Sequence, residues 1–125
     1  MPKTYRSSCP VASALDILGD RWTLVVLRTI FAGRHRYSDL AGMPEGISTN
    51  ILADRLALLD AEGLVTRKPY RETPTRYEYR LTRKGADLLP VLQALAVWGS
   101  AHIPDRWTVP PWFHEATPAQ FYPVE

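Results

Sequence analysis

The stretch PEGISTNILADRLALLDAEG, residues 44–63, predicts a short loop, a helix cap and one amphipathic helix. Ser48 is a favourable N-cap, because its hydroxyl can accept a hydrogen bond from a free amide of the first turn. Three leucines, spaced four and three residues apart, form one apolar stripe: Leu52, Leu56 and Leu59. The opposite face carries small and polar residues: Asn50, Ala53, Asp54 and Ala57. Gly63 ends the helix, as a glycine at the C′ position does.

Two interpretations of this helix are open on these residues alone. A helix anchored by leucines on one side, with small and polar residues near its N-terminus on the other, suits insertion into the major groove of DNA. An ordinary surface helix of a globular protein has the same pattern. The residues around the helix therefore have to distinguish the two.

The positive charge of the chain is concentrated in one segment. Over all 125 residues the net charge is only +2, and the hydrophobic fraction of 46% is that of an ordinary globular domain. Residues 63–85, however, contain seven cationic and two anionic side chains, a net charge of +5. A basic segment of this kind is expected of an element that contacts phosphates, and a solvated surface is the alternative.

The sequence also excludes several classes of protein. Its one cysteine, Cys9, cannot form an intrachain disulfide. No run approaches the roughly 18 apolar residues of a membrane span, and residues 1–9 are too polar for a signal peptide. The three histidines lack metal-ligand spacing, and no phosphate-binding loop or nucleophile motif occurs. We therefore expect a cytoplasmic protein that is not an enzyme, with no cofactor, no metal and no membrane contact.

Three further helices are predicted before this stretch. Pro10 opens a first helix that ends at Gly19, and Asp20 caps a second one. Residues 22–32 are apolar almost all round, so the second helix should lie at the centre of the core. A short helix capped by Ser38 then leads into the turn before the amphipathic helix. Two helices joined by a tight turn with glycine are the signature of a helix-turn-helix.

A β-hairpin is predicted directly after this unit. Residues 64–69 and 76–81 read as strands that flank an exposed six-residue loop, 70–75. In the second strand apolar residues alternate with charged ones, so one face should pack and the other should face water. A hairpin in this position is a wing, and its basic loop could lie over the DNA backbone or an adjacent minor groove.

The last part of the chain predicts a helix and an arm. Thr82 caps a helix that Pro90 should kink or split. The leucine face of this helix predicts either an oligomer seam or packing on the core of its own chain. After residue 102, five prolines exclude a regular helix, while many aromatic residues favour an extended arm laid over an apolar surface.

The predicted fold class is therefore mainly α with a small β-hairpin wing, a winged helix-turn-helix whose terminal helices form a dimer interface. Residues 1–8 are expected to be a flexible N-terminus. Residues 9–102 are expected to form the winged helix-turn-helix domain with the dimerisation helices. Residues 103–125 are expected to form the C-terminal arm rich in proline and aromatic residues.

Five segments in one order resemble the HxlR-type winged-helix regulators, which are relatives of the MarR group. They are CPVASALDILGDRWTLVVLR (9–28), RYSDL (36–40), GISTNILADRLALLDAEGLVTR (46–67), TPTRYEYRLTRKG (73–85) and LLPVLQALAVWG (88–99). The resemblance implies a homodimeric transcriptional regulator, most often a repressor, that binds a double-stranded DNA operator in a sequence-specific way. The residues expected at the dimer interface are Val11, Leu15, Leu88, Leu92, Leu95 and Trp98.

The resemblance also places the DNA contacts. Carried over by position, Ser48, Thr49 and Asn50 lie at the groove-facing start of the recognition helix. Similar regulators often have Pro-Arg in place of Thr49-Asn50, so one cationic contact is missing, and Asn50 can instead pair with an adenine edge. The expected DNA-binding residues are Arg36, Ser48, Thr49, Asn50, Ala53, Asp54, Lys68, Arg71, Thr75 and Arg76. For Arg76 a second role is open, because it could fix the wing by pairing with a carboxylate.

Cys9 is a possible sensor of a redox or small-molecule effector. Some members of the family that this chain resembles use a cysteine at this place to sense oxidants or electrophiles. A helix N-terminus favours the thiolate, which is the reactive form. The alternative is a buried or capping cysteine with no redox role.

A second function is compatible with the same fold. Winged helices also serve as protein-protein interaction modules that do not bind DNA, since fold alone does not determine function. Such a module would show no DNA binding even at low salt. The basic wing favours a DNA-binding protein.

Overall fold

A computed structural model describes residues 4–124 of the chain. Within this range the helices are α1 (Pro10–Leu18), α2 (Thr23–Phe31), α3 (Tyr37–Ala41), α4 (Thr49–Ala61), α5 (Arg83–Ala86), α6 (Leu89–His102), α7 (Pro111–Glu115) and a 3-10 helix (Pro118–Phe121). Strands β1 (Val65–Glu72) and β2 (Thr75–Leu81) form an antiparallel hairpin between α4 and α5. The mainly helical fold with a hairpin wing is confirmed. Residues 1–3 of the predicted flexible N-terminus and residue 125 of the predicted arm lie outside the described residues.

The core is built around α2 and α4. Four apolar side chains of α2 are buried: Val26, Leu27, Ile30 and Phe31. The predicted leucine stripe of α4 packs in the same core, with Leu52, Leu56 and Leu59 all buried. Gly63 follows α4 at φ 73°, a left-handed conformation that glycine adopts without strain. Because one face of α4 is seated in the core, its opposite face is presented to solvent.

Asp20 joins the start of α2 to α4. Its carboxylate accepts hydrogen bonds from the backbone amides of Trp22 at 2.8 Å and Thr23 at 2.9 Å, so it satisfies free amides at the start of α2 although Trp22, and not Asp20, occupies the N-cap position. The same carboxylate pairs with the Arg55 guanidinium of α4 at 3.2 Å. Burial raises the pKa of Asp20, but hydrogen bonds from Thr23 and Trp22 and the charge of Arg55 outweigh it, so the pKa lies below its ordinary value of 3.8.

The position of Arg55 on the flank of the leucine stripe predicts a structural ion pair with Asp39 or Glu45; the ion pair is confirmed, but both expected partners are wrong. Glu45 is bound instead by the Arg28 guanidinium of α2, at 2.6 and 2.9 Å. The hydrogen bond from Arg28 holds the pKa of Glu45 below its ordinary range. Two ion pairs thus fasten α2, one to α4 and one to the turn that precedes α4.

The start of α3 also differs from the prediction, because Ser38 does not cap it. The helix begins at Tyr37, and Arg36 occupies the N-cap position without a side-chain cap. A single β-bridge joins Arg36 to Glu78 of the hairpin and holds Arg36 in an extended conformation. The bridge therefore sets the first helical residue two positions earlier than the sequence suggests.

The hairpin is longer than predicted and its loop is shorter. Residues 70–72 and 75 belong to the strands, and only Thr73 and Pro74 form the turn. The strands continue past Pro69 because the pairing shifts register between Pro69 and Arg71, and such an irregularity accommodates a residue that lacks an N–H. Beyond that shift Arg71 stands opposite Arg76.

The base of the hairpin is locked to α5. The core residues at this base are Val65 and Leu81. Thr82 caps α5 as predicted, since its hydroxyl accepts from the Gly85 amide at 3.0 Å, and the hydroxyl also donates to the Gly63 carbonyl at 2.5 Å. A Cβ at Gly85 would lie 2.0 Å from the carbonyl oxygen of Leu64, so the two backbones touch. Only glycine permits this approach.

The predicted split at Pro90 is present, but the leucine face behind it is divided. Leu92 is buried in the core of its own chain and Leu88 is half-buried, whereas Leu95 is 52% exposed. Leu92 was predicted at the dimer interface, and this prediction is wrong. The residue instead packs on the core of its own chain, as the alternative interpretation of the leucine face expects. A helix of this length can serve both purposes because adjacent faces of it point in different directions.

The C-terminal arm contains helix, contrary to the prediction, in α7 and in the 3-10 helix. Both begin with proline, which is well suited to the first turn of a helix although it disrupts the interior. The arm folds back on its own chain: Phe113 is buried, and Phe121 packs edge-on against Phe31 at 4.9 Å between ring centroids. The Gln93 side-chain amide of α6 donates to the carbonyl of Phe113 at 2.9 Å.

Candidate nucleic-acid interface

The first turns of α4 form an exposed polar surface. The Ser48 hydroxyl accepts a hydrogen bond from the Ile51 amide at 3.2 Å, which confirms its role as the cap. The four predicted base-contacting residues that follow are all exposed: Thr49, Asn50, Ala53 and Asp54. This surface offers hydroxyl, amide and carboxylate groups and no cation. Such groups can pair with base edges in a major groove, but they attract phosphate poorly.

A tyrosine that the sequence did not indicate supports this surface. The Tyr37 hydroxyl of α3 donates to the backbone carbonyl of Thr49 at 3.3 Å. The contact joins the two helices of the helix-turn-helix at the point where α4 begins. Tyr37 lies in the quoted segment RYSDL, but its spacing alone gives no sign of this bond.

The tip of the hairpin carries unneutralised positive charge. Arg71 and Arg76 are exposed and stand opposite each other across the two strands. Within residues 4–124 neither guanidinium forms an ion pair, so the carboxylate partner considered for Arg76 is not found there. Like charges in directly opposite positions cost stability, which a polyanion bound to both would relieve.

The other two predicted wing residues are also exposed. Lys68 stands opposite Glu78 in the register of the hairpin. The Thr75 hydroxyl donates to the carbonyl of Glu72 at 3.2 Å and so closes the turn. Thr75 can therefore contact a phosphate only if that internal hydrogen bond is shared or exchanged.

Two arginines lie over tyrosine rings of the hairpin. The Arg36 guanidinium lies 3.9 Å from the ring centroid of Tyr70, and the Arg67 guanidinium lies 4.3 Å from that of Tyr77. Both are cation–π contacts, which hold the guanidinium in place without neutralising it. Arg36 belongs to the predicted set, while Arg67 and the two tyrosines do not. The alternation of cations and tyrosines in residues 67–80 could have indicated these three residues from the sequence.

One hairpin arginine is neutralised within the hairpin. Arg80 donates two hydrogen bonds to one carboxylate oxygen of Glu78, at 3.2 and 2.9 Å. These bonds hold the pKa of Glu78 below its ordinary value. Glu78 thus neutralises Arg80, whereas Arg71 and Arg76 at the tip form no ion pair within residues 4–124.

Cys9 is exposed at the N-cap of α1. Its backbone amide donates to the Ser7 hydroxyl at 3.2 Å, and its carbonyl accepts from the Ser13 amide at 2.9 Å. Its thiol makes no capping hydrogen bond to the helix. The position is reachable by a reagent in solution, and the alternative of a buried cysteine is excluded. The nearby Arg6 pairs with Asp16 of α1 at 2.8 Å.

Four of the predicted dimer residues remain available to a partner. The exposed members are Val11 (67% exposed), Leu15 (48%), Leu95 (52%) and Trp98 (59%). They lie on α1 and α6. Large exposed apolar side chains on these two helices are suited to a protein-protein contact.

The family model described as "HxlR-like helix-turn-helix" matches residues 17–107 of this chain. The chain belongs to the HxlR-like helix-turn-helix family. Within this family it is 43% identical over 94 residues to an HTH-type transcriptional regulator of Mycobacterium bovis, a match that covers 75% of this chain and 59% of the relative. The chain thus spans less than two thirds of the length of that relative.

Two solved structures extend the comparison to the HxlR-like fold. The transcriptional regulator YodB of Bacillus subtilis, in its reduced form, is 30% identical with a TM-score of 0.64, and the match covers 81% of this chain and 100% of YodB. The redox regulator HypR, in its oxidized form, is 30% identical with a TM-score of 0.65, covering 80% and 100%. The matches confirm the winged-helix architecture.

The described residues also bear on two other features, a metal site and a membrane-spanning helix. Among residues 4–124, no group of three or more His, Cys, Asp or Glu side chains is arranged to hold a metal ion. In the same part of the chain, no helix combines the length and the apolar character needed to cross a bilayer.

Proposed function

We propose that this HxlR-like chain is a transcriptional regulator that binds double-stranded DNA in a sequence-specific way and acts as a repressor. The observation that carries the proposal is the exposed start of α4, which has no cation, together with a hairpin tip whose two arginines form no ion pair within residues 4–124. Base readout and phosphate attraction are separate tasks in DNA recognition, and these two surfaces suit one task each. The relative in Mycobacterium bovis is an HTH-type transcriptional regulator, which supports the same function.

The roles of the individual residues follow from their chemistry. Asn50 is proposed to pair with an adenine edge, while Ser48, Thr49, Ala53 and Asp54 line the same groove. The remaining predicted contacts are proposed to bind the DNA backbone: Arg36, Lys68, Arg71, Thr75 and Arg76. Because backbone contacts release counterions, affinity should fall steeply as salt rises.

We propose a homodimer as the functional unit. The exposed apolar side chains of α1 and α6 are suited to contact their counterparts in a second copy: Val11, Leu15, Leu95 and Trp98. Leu88, which is half-buried, is proposed to lie at the edge of this interface, whereas Leu92 is buried in the core of its own chain. Two recognition helices related by a dimer axis would enter successive major grooves, with half-sites about one helical turn, roughly 34–36 Å, apart.

Cys9 is proposed as the sensor of an oxidant or electrophile. It is exposed, it lies at the start of α1, and α1 contributes to the proposed dimer surface. HypR, at 30% identity, is a redox regulator. As the chain has one cysteine, the sensing chemistry would be alkylation or a disulfide to the same residue of another subunit.

The test is selection of bound sequences from random duplex DNA, run with and without a thiol oxidant. The proposal expects an enriched motif with two half-sites, lost or weakened by the oxidant in the wild type but not in Cys9→Ser. An enriched motif that the oxidant leaves unchanged removes only the sensor role. No enrichment, and no binding at low salt, would leave the protein-interaction module as the function.

A further inference from the structure

A cavity of about 820 Å³ lies between α2, α6 and the C-terminal arm. Its walls are mainly apolar, and the side chains that matter most are Leu24, Val25, Leu92, Leu95, Trp107 and Trp112. Small-molecule sites typically occupy about 300–1,000 Å³ and are lined by apolar and aromatic groups with a few polar ones. No residue of the hairpin lines the cavity, whereas Pro44 and Glu45, in the turn that precedes α4, do.

We propose that this cavity binds an uncharged, planar aromatic small molecule with one or two hydrogen-bonding groups. The indoles of Trp107 and Trp112 are 73% and 46% exposed, so their faces are available for stacking. The hydroxyls of Ser100 and Thr108 also line the cavity and can hydrogen-bond a ligand. This combination of flat apolar walls and a few neutral polar groups defines the ligand class.

The charges at the cavity argue against an ionic ligand. Arg28 and Glu45 line it, but they bind each other through two hydrogen bonds at 2.6 and 2.9 Å. Arg106 and Asp105 are neighbours of opposite charge on the same wall. An anion entering the cavity would meet the like charges of Asp105 and Glu45, and a cation would meet those of Arg106 and Arg28, which is unfavourable.

The arm wall of the cavity is held by the protein itself. The Gln93 side-chain amide donates to the carbonyls of Phe113, at 2.9 Å, and Ala116, at 2.8 Å. Phe113 is only 8% exposed, and Phe121 packs against Phe31 of α2. A wall fixed in this way lowers the entropic cost of binding, because little of it has to be ordered by the ligand.

A second copy of the chain is a less suitable occupant. The exposed residues proposed for the dimer, Val11, Leu15 and Trp98, do not line the cavity, and only Leu95 belongs to both surfaces. A stable protein interface needs about 800 Å² from each partner, a broad surface rather than a concave chamber. The claim that this cavity is the effector site of a regulator rests on the proposed function. The claim that the cavity binds an aromatic small molecule does not depend on that function.

The test uses N-phenyl-1-naphthylamine, an uncharged planar aromatic probe whose fluorescence rises in an apolar site. It is titrated into the full chain without DNA. The cavity is filled by Gly99→Leu, because Gly99 lines it and an added Cβ there meets nothing within 4 Å. The matched control is Ala101→Leu, on an exposed position of α6 that does not line the cavity. Thermal unfolding checks that both variants fold, and sedimentation gives their oligomeric state.

The proposal expects one saturable site per chain, with affinity reduced about tenfold or more in Gly99→Leu and unchanged in Ala101→Leu. No saturable signal with the wild type overturns it. Equal affinity in Gly99→Leu places the probe elsewhere and overturns it as well. A change of oligomeric state in Gly99→Leu alone would show that the cavity is filled by a second copy. Each of these results is independent of whether the chain binds DNA.

Discussion

The start of α4 and the tip of the hairpin differ in charge and in how they are held. The first turn of α4 has no cation, and the helix is anchored by three buried leucines. The tip of the hairpin has Arg71 and Arg76. In the two strands only Val65 and Leu81, at the base of the hairpin, are buried. One surface is rigidly placed and electrically neutral at its start, and the other is cationic and loosely supported.

This difference separates specificity from affinity. Base edges are read by groups whose position is fixed to within a hydrogen bond, which a helix seated in the core provides. Phosphates attract any nearby cation over several ångströms, so an exposed tip without buried anchors is adequate for that purpose. Substitutions in the two regions should therefore give different kinds of defect, and a substitution at their common support should give both.

The largest effect is expected at that common support, from Gly85→Ala. The added Cβ would lie 2.0 Å from the carbonyl oxygen of Leu64, so either α5 or the base of the hairpin has to move. Overpacking of this kind costs about 2–3 kcal/mol of the free energy of unfolding. Urea unfolding of the variant measures the loss, and its DNA affinity should fall for all sequences because the hairpin is displaced.

The matched control is Gly99→Ala, where an added Cβ meets nothing within 4 Å. Because alanine favours a helix interior, the control should gain about 0.5–1 kcal/mol. If Gly85→Ala unfolded at the same urea concentration as the wild type, the close contact between α5 and β1 would not be what supports the hairpin.

The next largest effect is expected at the start of α4, from Asn50→Ala. Loss of the side-chain amide should remove about 1–3 kcal/mol of discrimination at one base pair and leave the others as they were. A binding profile over all single-base changes of the selected operator measures it. Ala57→Ser, further along the exposed face of α4, is the control and should keep the profile. An unaltered profile in Asn50→Ala would remove this residue from base readout.

A smaller effect is expected at the tip of the hairpin, from Arg71→Ala. Affinity should fall by about 1 kcal/mol for every sequence, and the slope of log affinity against log salt should decrease by about 1, because one phosphate contact is lost. Arg80→Ala is the control, since Arg80 is already bound to Glu78. A loss confined to the selected operator, with the salt slope unchanged, would contradict a phosphate role for the tip.

The sequence predicted the elements that depend on local pattern. The cap at Ser48, the leucine stripe of α4, the glycine at 63 and the break at Pro90 all follow from residues within one or two turns of each other. It failed where a distant residue decides. Arg55 pairs with Asp20, which lies 35 positions away, although nearer carboxylates were available. The helix α3 starts where a bridge from Glu78 allows it.

The candidate site was predicted to a similar extent. Exposure of the α4 start and of the hairpin cations follows from alternation and charge, so the predicted DNA contacts lie on the surface as expected. The bond from Tyr37 to Thr49 and the stacking of Arg67 on Tyr77 depend on packing between elements. The C-terminal arm was the hardest part, because proline is read as a helix breaker although it begins two short helices there.

The smallest change in stability is expected for Asp20→Asn. This substitution removes the charged link between α2 and α4, and with it the pH dependence of that link. Asparagine can still cap α2, but it cannot pair with Arg55 as an anion. The pKa of Asp20 is lowered by folding, so its charge stabilises the fold above the ordinary value of 3.8, and this contribution disappears as the pH falls through the folded pKa. At neutral pH the wild type should be more stable than the variant by about 0.5–1 kcal/mol, since the pair is partly exposed. Urea unfolding at neutral pH and at several values below 3.8 should show the two proteins converging. A difference that stayed constant with pH would mean that shape, and not charge, joins α4 to the core at this point.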